Sequence, residues 1–552
     1  MQKKQMQISL HNNRQTLIKY GLMIASLVLF MALGLIFMRS DGYGLKADII
    51  SEKKLNKLLS GLSEIPQDQE LPASLYIDDI KLPCDRGSRT FYLPVSLESS
   101  LWESGTLGTK DKDAGAFFVY DFRKEDKLSL CAANEGIPFY IVSPSGFSLC
   151  SLHLTGLPVL SMDQTGELTD EGLPLFSFGL FEAGDGRVSV TEGLTTGTLR
   201  GNTSLTYEKK SLRLKLKQKK DGMIQKKNES LLGLRSDDDW ILNSLYADNT
   251  RLRDKLCMDL WNETGALSNP FGVVMGVSGE YTEVVIDNGY AGLYLLTYPV
   301  DRKLLKMDRV SKKLESGLEP VERIYKKKYS SPLDPDAFKG PLPDPAMPFY
   351  RGGYVLKGDT ILQNEGEWDM LFKLSELMAA PDDVFSEGIT GLCDETNVLE
   401  NWLFYQAVGG YDNENKNHYF VTRDQGGSLK GYFIPWDMNI SFGCVYTENV
   451  FYSKESMEPV EDEVLFEPGS RMARLNAGGS RAVLKSTWEK WRRGVFSDDR
   501  IMKRIDEMQD TLIRSGAMDR EMERWPAGNA SKDTAFMKDF TKKRLAWLDS
   551  LL

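Results

Sequence analysis

The sequence predicts an α+β chain: one N-terminal transmembrane helix, a small all-β module, and a larger domain of helices and antiparallel hairpins. Three observations carry that prediction. An uncharged apolar run of nineteen residues, Tyr20–Met38, stands near the N-terminus. Residues 72–155 break into short β-rich segments punctuated by Gly, Pro, Asp and Ser. Beyond residue 157, helical and hairpin patterns follow one another without a regular βαβ alternation. The composition is globular, with 41% apolar and 27% charged residues in 552. A net charge of −11 leaves no excess of cations to neutralise phosphates along a duplex, so no nucleic-acid partner is expected. Only three histidines occur (His11, His153, His418), which argues against a His-rich zinc site.

The elements are read in chain order. Residues 1–19 form a basic cytoplasmic tail, with Lys3, Lys4, Arg14 and Lys19 ahead of the apolar run. At about 1.5 Å per residue, 20–38 spans about 29 Å, close to a bilayer core. No small-x-small cleavage site follows, so the run reads as an uncleaved signal anchor rather than a signal peptide. The expected localisation is a single-pass membrane protein with its main domains extracytoplasmic. Residues 39–71 are a linker, 72–155 a β-sandwich-like module that includes KLSLCA as a strand, and 157–552 the main domain with a helical tail. Six dispersed cysteines contain no C-x-x-C pair, leaving disulfides among Cys84, Cys131 and Cys150 or buried thiols as open alternatives. In the main domain, Asp248 or Asn249 can cap a helix carrying Leu252, Leu256 and Leu260. Asn288-Gly289 marks a hairpin turn. The Lys/Pro-rich segment from about 320 to 348 reads as an exposed, mobile loop. A helix from Glu395 leads into Gly409-Gly410.

That helix delivers Asp412, then Asn417, then a β-hairpin ending at Asp437. Phosphoryl-transfer enzymes of the protein-kinase type use this polar skeleton. The first Asp handles the proton of the attacking hydroxyl, and the Asn and second Asp hold Mg²⁺ on the nucleotide phosphates. The metal offsets repulsion between the carboxylates. On spacing alone, Asp412 reads rather as a plain loop residue making an Asx turn.

The neighbouring residues add a family. Arg200-Gly201-Asn202-Thr203-Ser204 with Lys209-Lys210-Ser211-Leu212-Arg213-Leu214-Lys215-Leu216, the run Leu231–Leu256, Gly292–Leu296, Asp412 to Tyr419, and Ile434–Asn439 resemble, in order, the signature blocks of the CotH family of spore-coat kinases. The resemblance implies an atypical protein-kinase-like domain that uses ATP with Mg²⁺ or Mn²⁺ to phosphorylate Ser or Thr of a surface or coat protein. It implies Asp412 as the catalytic Asp, and Asp437, Asn417 and Asn439 at the metal. Nucleotide contacts would come from Arg200, Asn202, Lys209, Lys210 and Lys215. The chain departs from the family at Asn439, where an acid is usual, and at Tyr298, where an acid often follows the GLYLL block. Asp237, Asp238 or Asp239 can substitute for the latter, or cap a helix near Trp240. These departures keep a non-catalytic surface or coat assembly protein open as the alternative.

Overall fold

The computed structural model describes residues 44–309, 321–339, 350–358, 366–413, 416–444 and 467–552. Among them no helix is long and apolar enough to cross a membrane. This corrects the fold class and the single-pass membrane localisation expected from the sequence; the run Tyr20–Met38 lies outside the described residues.

The N-terminal region is mixed rather than all-β. A five-stranded sheet joins Cys84–Asp85, Thr90–Pro94, Gly146–Thr155, Ile137–Ser143 and Gly115–Phe118, and Thr90–Pro94 runs parallel to Gly146–Thr155. Residues Lys127–Ala133, expected as a strand, form a helix. The reason is local: the Asp126 carboxylate caps the first turn by accepting from the Ser129 backbone N–H, and Asn134 ends it in the left-handed region. All six cysteines are free thiols, five of them buried.

The next unit is a closed barrel. Its strands are β1 (Val159–Leu168), β2 (Pro174–Gly184), β3 (Arg187–Arg200), β4 (Ser211–Lys220), β6 (Asp239–Asn243), β7 (Gly279–Ile286) and β8 (Gly289–Thr297), with β5 (Met223–Lys226) added outside β4. Antiparallel β3–β4 pairing and parallel β1–β7 pairing complete the ring. Closure pairs backbone groups that an open sheet would leave at its edges. On β4, Leu214 and Leu216 point into the apolar interior beside Trp240 and Leu242, so Arg213 and Lys215 point out. Asp287 and Asn288 both adopt positive φ at the β7–β8 turn, as a type I′ hairpin requires.

Opposite the barrel lies a five-stranded sheet, β10 (Tyr350–Arg351), β11 (Tyr354–Lys357), β9 (Arg323–Lys327), β12 (His418–Asp424) and β13 (Leu429–Pro435). Its central strand β9 falls in the segment expected as a loop. Alternation explains it: Tyr325 packs into the core beneath the sheet, whereas Lys326 faces the barrel. Nine helices cover the far side or follow it: α1 (Arg253–Glu263), α2 (Asp369–Ala379), α3 (Asp382–Leu392), α4 (Glu395–Val408), α5 (Glu467–Leu475), α6 (Ser480–Arg493), α7 (Asp498–Arg514), α8 (Ala517–Arg524) and α9 (Ala535–Leu551), as counted among the described residues. Their apolar faces and α4 form the largest core cluster.

Candidate active site

A cleft of about 680 Å³ separates the barrel from the sheet. Two connections aim acids into it. Helix α4 starts where the Asp394 carboxylate accepts from the Asn397 N–H, and ends at Gly409 with φ +64°, a conformation glycine adopts without strain. It thereby delivers Asp412. Strand β13 delivers Asp437. The two deliveries share one register: Phe433 N–H donates to Asn397 Oδ1 (2.6 Å), and the amides of Asn397 and Asn401 donate to Phe433 O (3.1 and 2.8 Å). Asn413 then staples the two ends together, its Nδ2 donating to Asn417 O (2.7 Å) and Trp436 O (2.8 Å). Asn417 and Asp437 both hold φ of +57°, which Asn and Asp tolerate better than other side chains.

Within the cleft, Asn417 Nδ2 donates to Asp412 Oδ2 (2.7 Å) and Lys416 pairs with Asp412 Oδ1 (2.9 Å). Burial raises the Asp412 carboxyl above its ordinary value, partly offset by Lys416. A further acid, Asp254 on α1, was not singled out in the sequence. Its Oδ1 accepts from Met438 N–H (2.7 Å) and its Oδ2 from Asn243 Nδ2 (2.7 Å). Burial, and then the charge of Asp437, push Asp254 up to about 7. Its signal was present: an acid inside the apolar stripe of α1, three residues before buried Cys257.

The donor set suits a hard divalent cation. Asp254 and Asp437 repel each other, and neither forms an ion pair with Lys or Arg among the described residues. Asn417 and Asn439 line the same cleft. No group of three His, Cys, Asp or Glu fit for a metal exists among the described residues. Mg²⁺ bound by one or two carboxylates, completed by substrate phosphate oxygens and water, needs none.

The residues expected to contact the nucleotide divide. Arg200, Asn202 and Lys215 line the cleft, as do Arg213, Lys326, Lys328 and Lys357, which the sequence reading did not select. Lys209 and Lys210 do not. Lys209 is fully buried, donating to both Glu521 oxygens (2.8 Å each) and to Leu293 O. Burial pulls it down to about 8 despite the Glu521 charge. Arg251 Nε donates to the same carboxylate (3.1 Å). Lys210 turns to Leu205 O (2.7 Å) and Tyr207 O. Asp239 grips Arg213 with both oxygens, whereas Asp237 and Asp238 hold Lys303. Tyr298 is buried, with the Arg235 guanidinium 4.2 Å above its ring.

Comparison with known families matches residues 198–548 to the CotH kinase protein family. No curated protein matches the chain. The family match spans more than half of the sequence and takes in the barrel from the last residues of β3 onward, the sheet and the whole cleft. The chain belongs to the CotH family.

Proposed function

We propose that the chain is a protein kinase that transfers the γ-phosphoryl group of ATP to a Ser or Thr hydroxyl of a surface or coat protein. The observation that carries this reading is the convergence of Asp412, Asn417, Asp254 and Asp437 on one cation-lined cleft. In the step proposed, the acceptor hydroxyl oxygen bonds to the γ-phosphorus and the bond to the β,γ-bridging oxygen breaks. The hydroxyl proton passes to Asp412, and ADP leaves with the electron pair. Lys416 and Asn417 hold the Asp412 carboxylate in place through its two oxygens. Asp437 and Asp254, with the side-chain oxygens of Asn417 and Asn439, would hold Mg²⁺, which supplies neutralisation of the phosphate charge. Asp254 supports activity despite the family departure at Asn439, because it brings a second carboxylate to Asp437 from another element. Asp239 likewise offers an acid partner to a cleft cation in place of the one missing at Tyr298.

The test is incubation of the purified protein with Mg²⁺ and γ-labelled ATP, with casein and its own chain as acceptors. Label on Ser or Thr supports the reading. Nucleotide binding without transfer to any acceptor favours the non-catalytic assembly role instead, which Asn439 in the cleft favours.

A further inference from the structure

Lys326 sits at the centre of the sheet wall, on β9, opposite Tyr419 of β12. Its ammonium lies 5.1 Å from the centre of the Trp436 ring and 5.8 Å from that of Tyr419. It makes no hydrogen bond or ion pair among the described residues, yet is half-buried against two aromatic rings. Such a charge is costly to bury unless something anionic meets it. Its surroundings add to the cost, since Arg200, Lys328 and Lys357 all act on it as like charges, and Asp437 is the acid that offsets them.

Pairing sorts the remaining charges of the cleft. Arg213 is taken by Asp239, Lys416 by Asp412, and Lys303 by Asp237 and Asp238. Arg200, Lys215, Arg302, Lys326, Lys328 and Lys357 have no acid partner within ion-pair distance among the described residues, and neither Asp254 nor Asp437 has a cationic one. A cluster of six unpaired cations beside two unpaired acids selects an anion of several charges accompanied by a divalent cation. A nucleoside triphosphate with its metal has that make-up. Asp437 acts on Lys326 across the cleft, so a phosphate bound to a metal held there would lie near its ammonium.

We propose that Lys326 contacts the terminal phosphates of the nucleotide, from the sheet wall and not from the start of β4, which Lys209 and Lys210 precede. This rests on the phosphoryl-transfer reading and assigns that site a phosphate-binding residue. Lys328 and Lys357 reinforce it at longer range.

Calorimetric titration of wild type, Lys326→Met and Lys326→Arg with adenosine, AMP, ADP, ATP and inorganic tripolyphosphate, each with Mg²⁺, tests it. Wild type should bind more tightly as phosphates are added. Lys326→Met should lose about 10- to 100-fold in ATP affinity, the scale of one charge-assisted contact, and stay within about twofold for adenosine and AMP. Lys326→Arg should recover most of the loss, and all three proteins should melt within a few degrees of one another. ATP binding unchanged in Lys326→Met, or adenosine binding lost in parallel with ATP, overturns the assignment while leaving the kinase reading intact. Wild type that binds tripolyphosphate but not ATP, with Lys326→Met losing the anion, keeps the phosphate site and removes the kinase reading. No binding of either ligand by wild type overturns both.

Discussion

Lys209 and Lys326 make opposite uses of the same functional group. Lys209 is completely buried, satisfied by a carboxylate and a carbonyl, and shares Glu521 with Arg251. Lys326 lies at the cleft wall against two rings, with no acid at ion-pair distance among the described residues. The first is scaffold: its charge is cancelled inside the protein, and removing a partner strands the others. The second keeps its charge available. The contrast teaches that pairing, more than chemical type or motif membership, separates the cations that hold this fold from those that can meet a ligand.

The largest effect that sharpens the contrast is catalytic. Asp412→Asn should lower turnover by about 10²- to 10⁴-fold while leaving Mg²⁺-ATP binding nearly unchanged, read by steady-state phosphorylation alongside titration calorimetry. Asp437→Asn or Asp254→Asn should instead weaken binding of Mg²⁺-ATP and spare binding of adenosine, because in the proposed function these acids would hold the metal and not the hydroxyl. Equal losses for adenosine would break that division.

On the scaffold side, Glu521→Gln leaves Lys209 and Arg251 without their carboxylate, a cost of about 3–5 kcal/mol. The melting temperature should fall by on the order of 10 °C in scanning fluorimetry. Lys326→Met should leave it unchanged or raise it. If both variants melt alike, the comparison fails.

A smaller effect tests burial without pairing. Desolvation, with Arg520 nearby, pushes the His153 imidazole down to about 4 from its ordinary 6.5. The unfolded chain takes up this proton near pH 6.5 and the folded one only near 4. The stability involved is therefore intact above about 6.5 and drains as pH falls towards 4, to at most about 3 kcal/mol. His153→Gln should flatten the acid limb of a melting-temperature profile over that window. The slope should not vanish, since burial also pushes His418 down, to about 3. The smallest effect belongs to Lys210→Met, whose ammonium serves backbone carbonyls and does not line the cleft; ATP affinity should change by less than about threefold.

Legibility in the sequence followed distance along the chain. Asp412, Asn417 and Asp437 were readable because one hairpin separates them, and the blocks around them carried the family resemblance. Closure of the barrel was not readable, since no local pattern announces that β1 pairs in parallel with β7 more than a hundred residues later. Lys326 was hidden for the same reason. Its strand is short, flanked by Lys and Pro, and becomes a strand only when β11 and β12 arrive on either side. Lys210 and Lys215 both belong to the motif, but strand parity points Lys215 at the cleft while Lys210 precedes the strand and turns back. The helix at Lys127 was missed because its Leu–Ser–Leu alternation mimics a strand, and the Asp126 cap outweighed it.

Neighbouring residues of α8 serve different parts of the molecule. Arg520 binds Glu283 of the barrel through two bonds of 2.7 Å and reaches Asn134 of the N-terminal region at 2.6 Å, whereas Glu521 holds Lys209, 312 residues earlier. During synthesis the barrel strands therefore leave the ribosome long before the residues that neutralise Lys209, Arg251 and Glu283. At about 5–20 residues per second that interval is roughly 15–60 s. The nascent barrel spends it with ionic groups it cannot bury, so its final closure waits for the C-terminal helices. Ribosome-bound chains stalled before residue 520 should remain open to protease within the barrel, and those stalled after α8 has emerged should not.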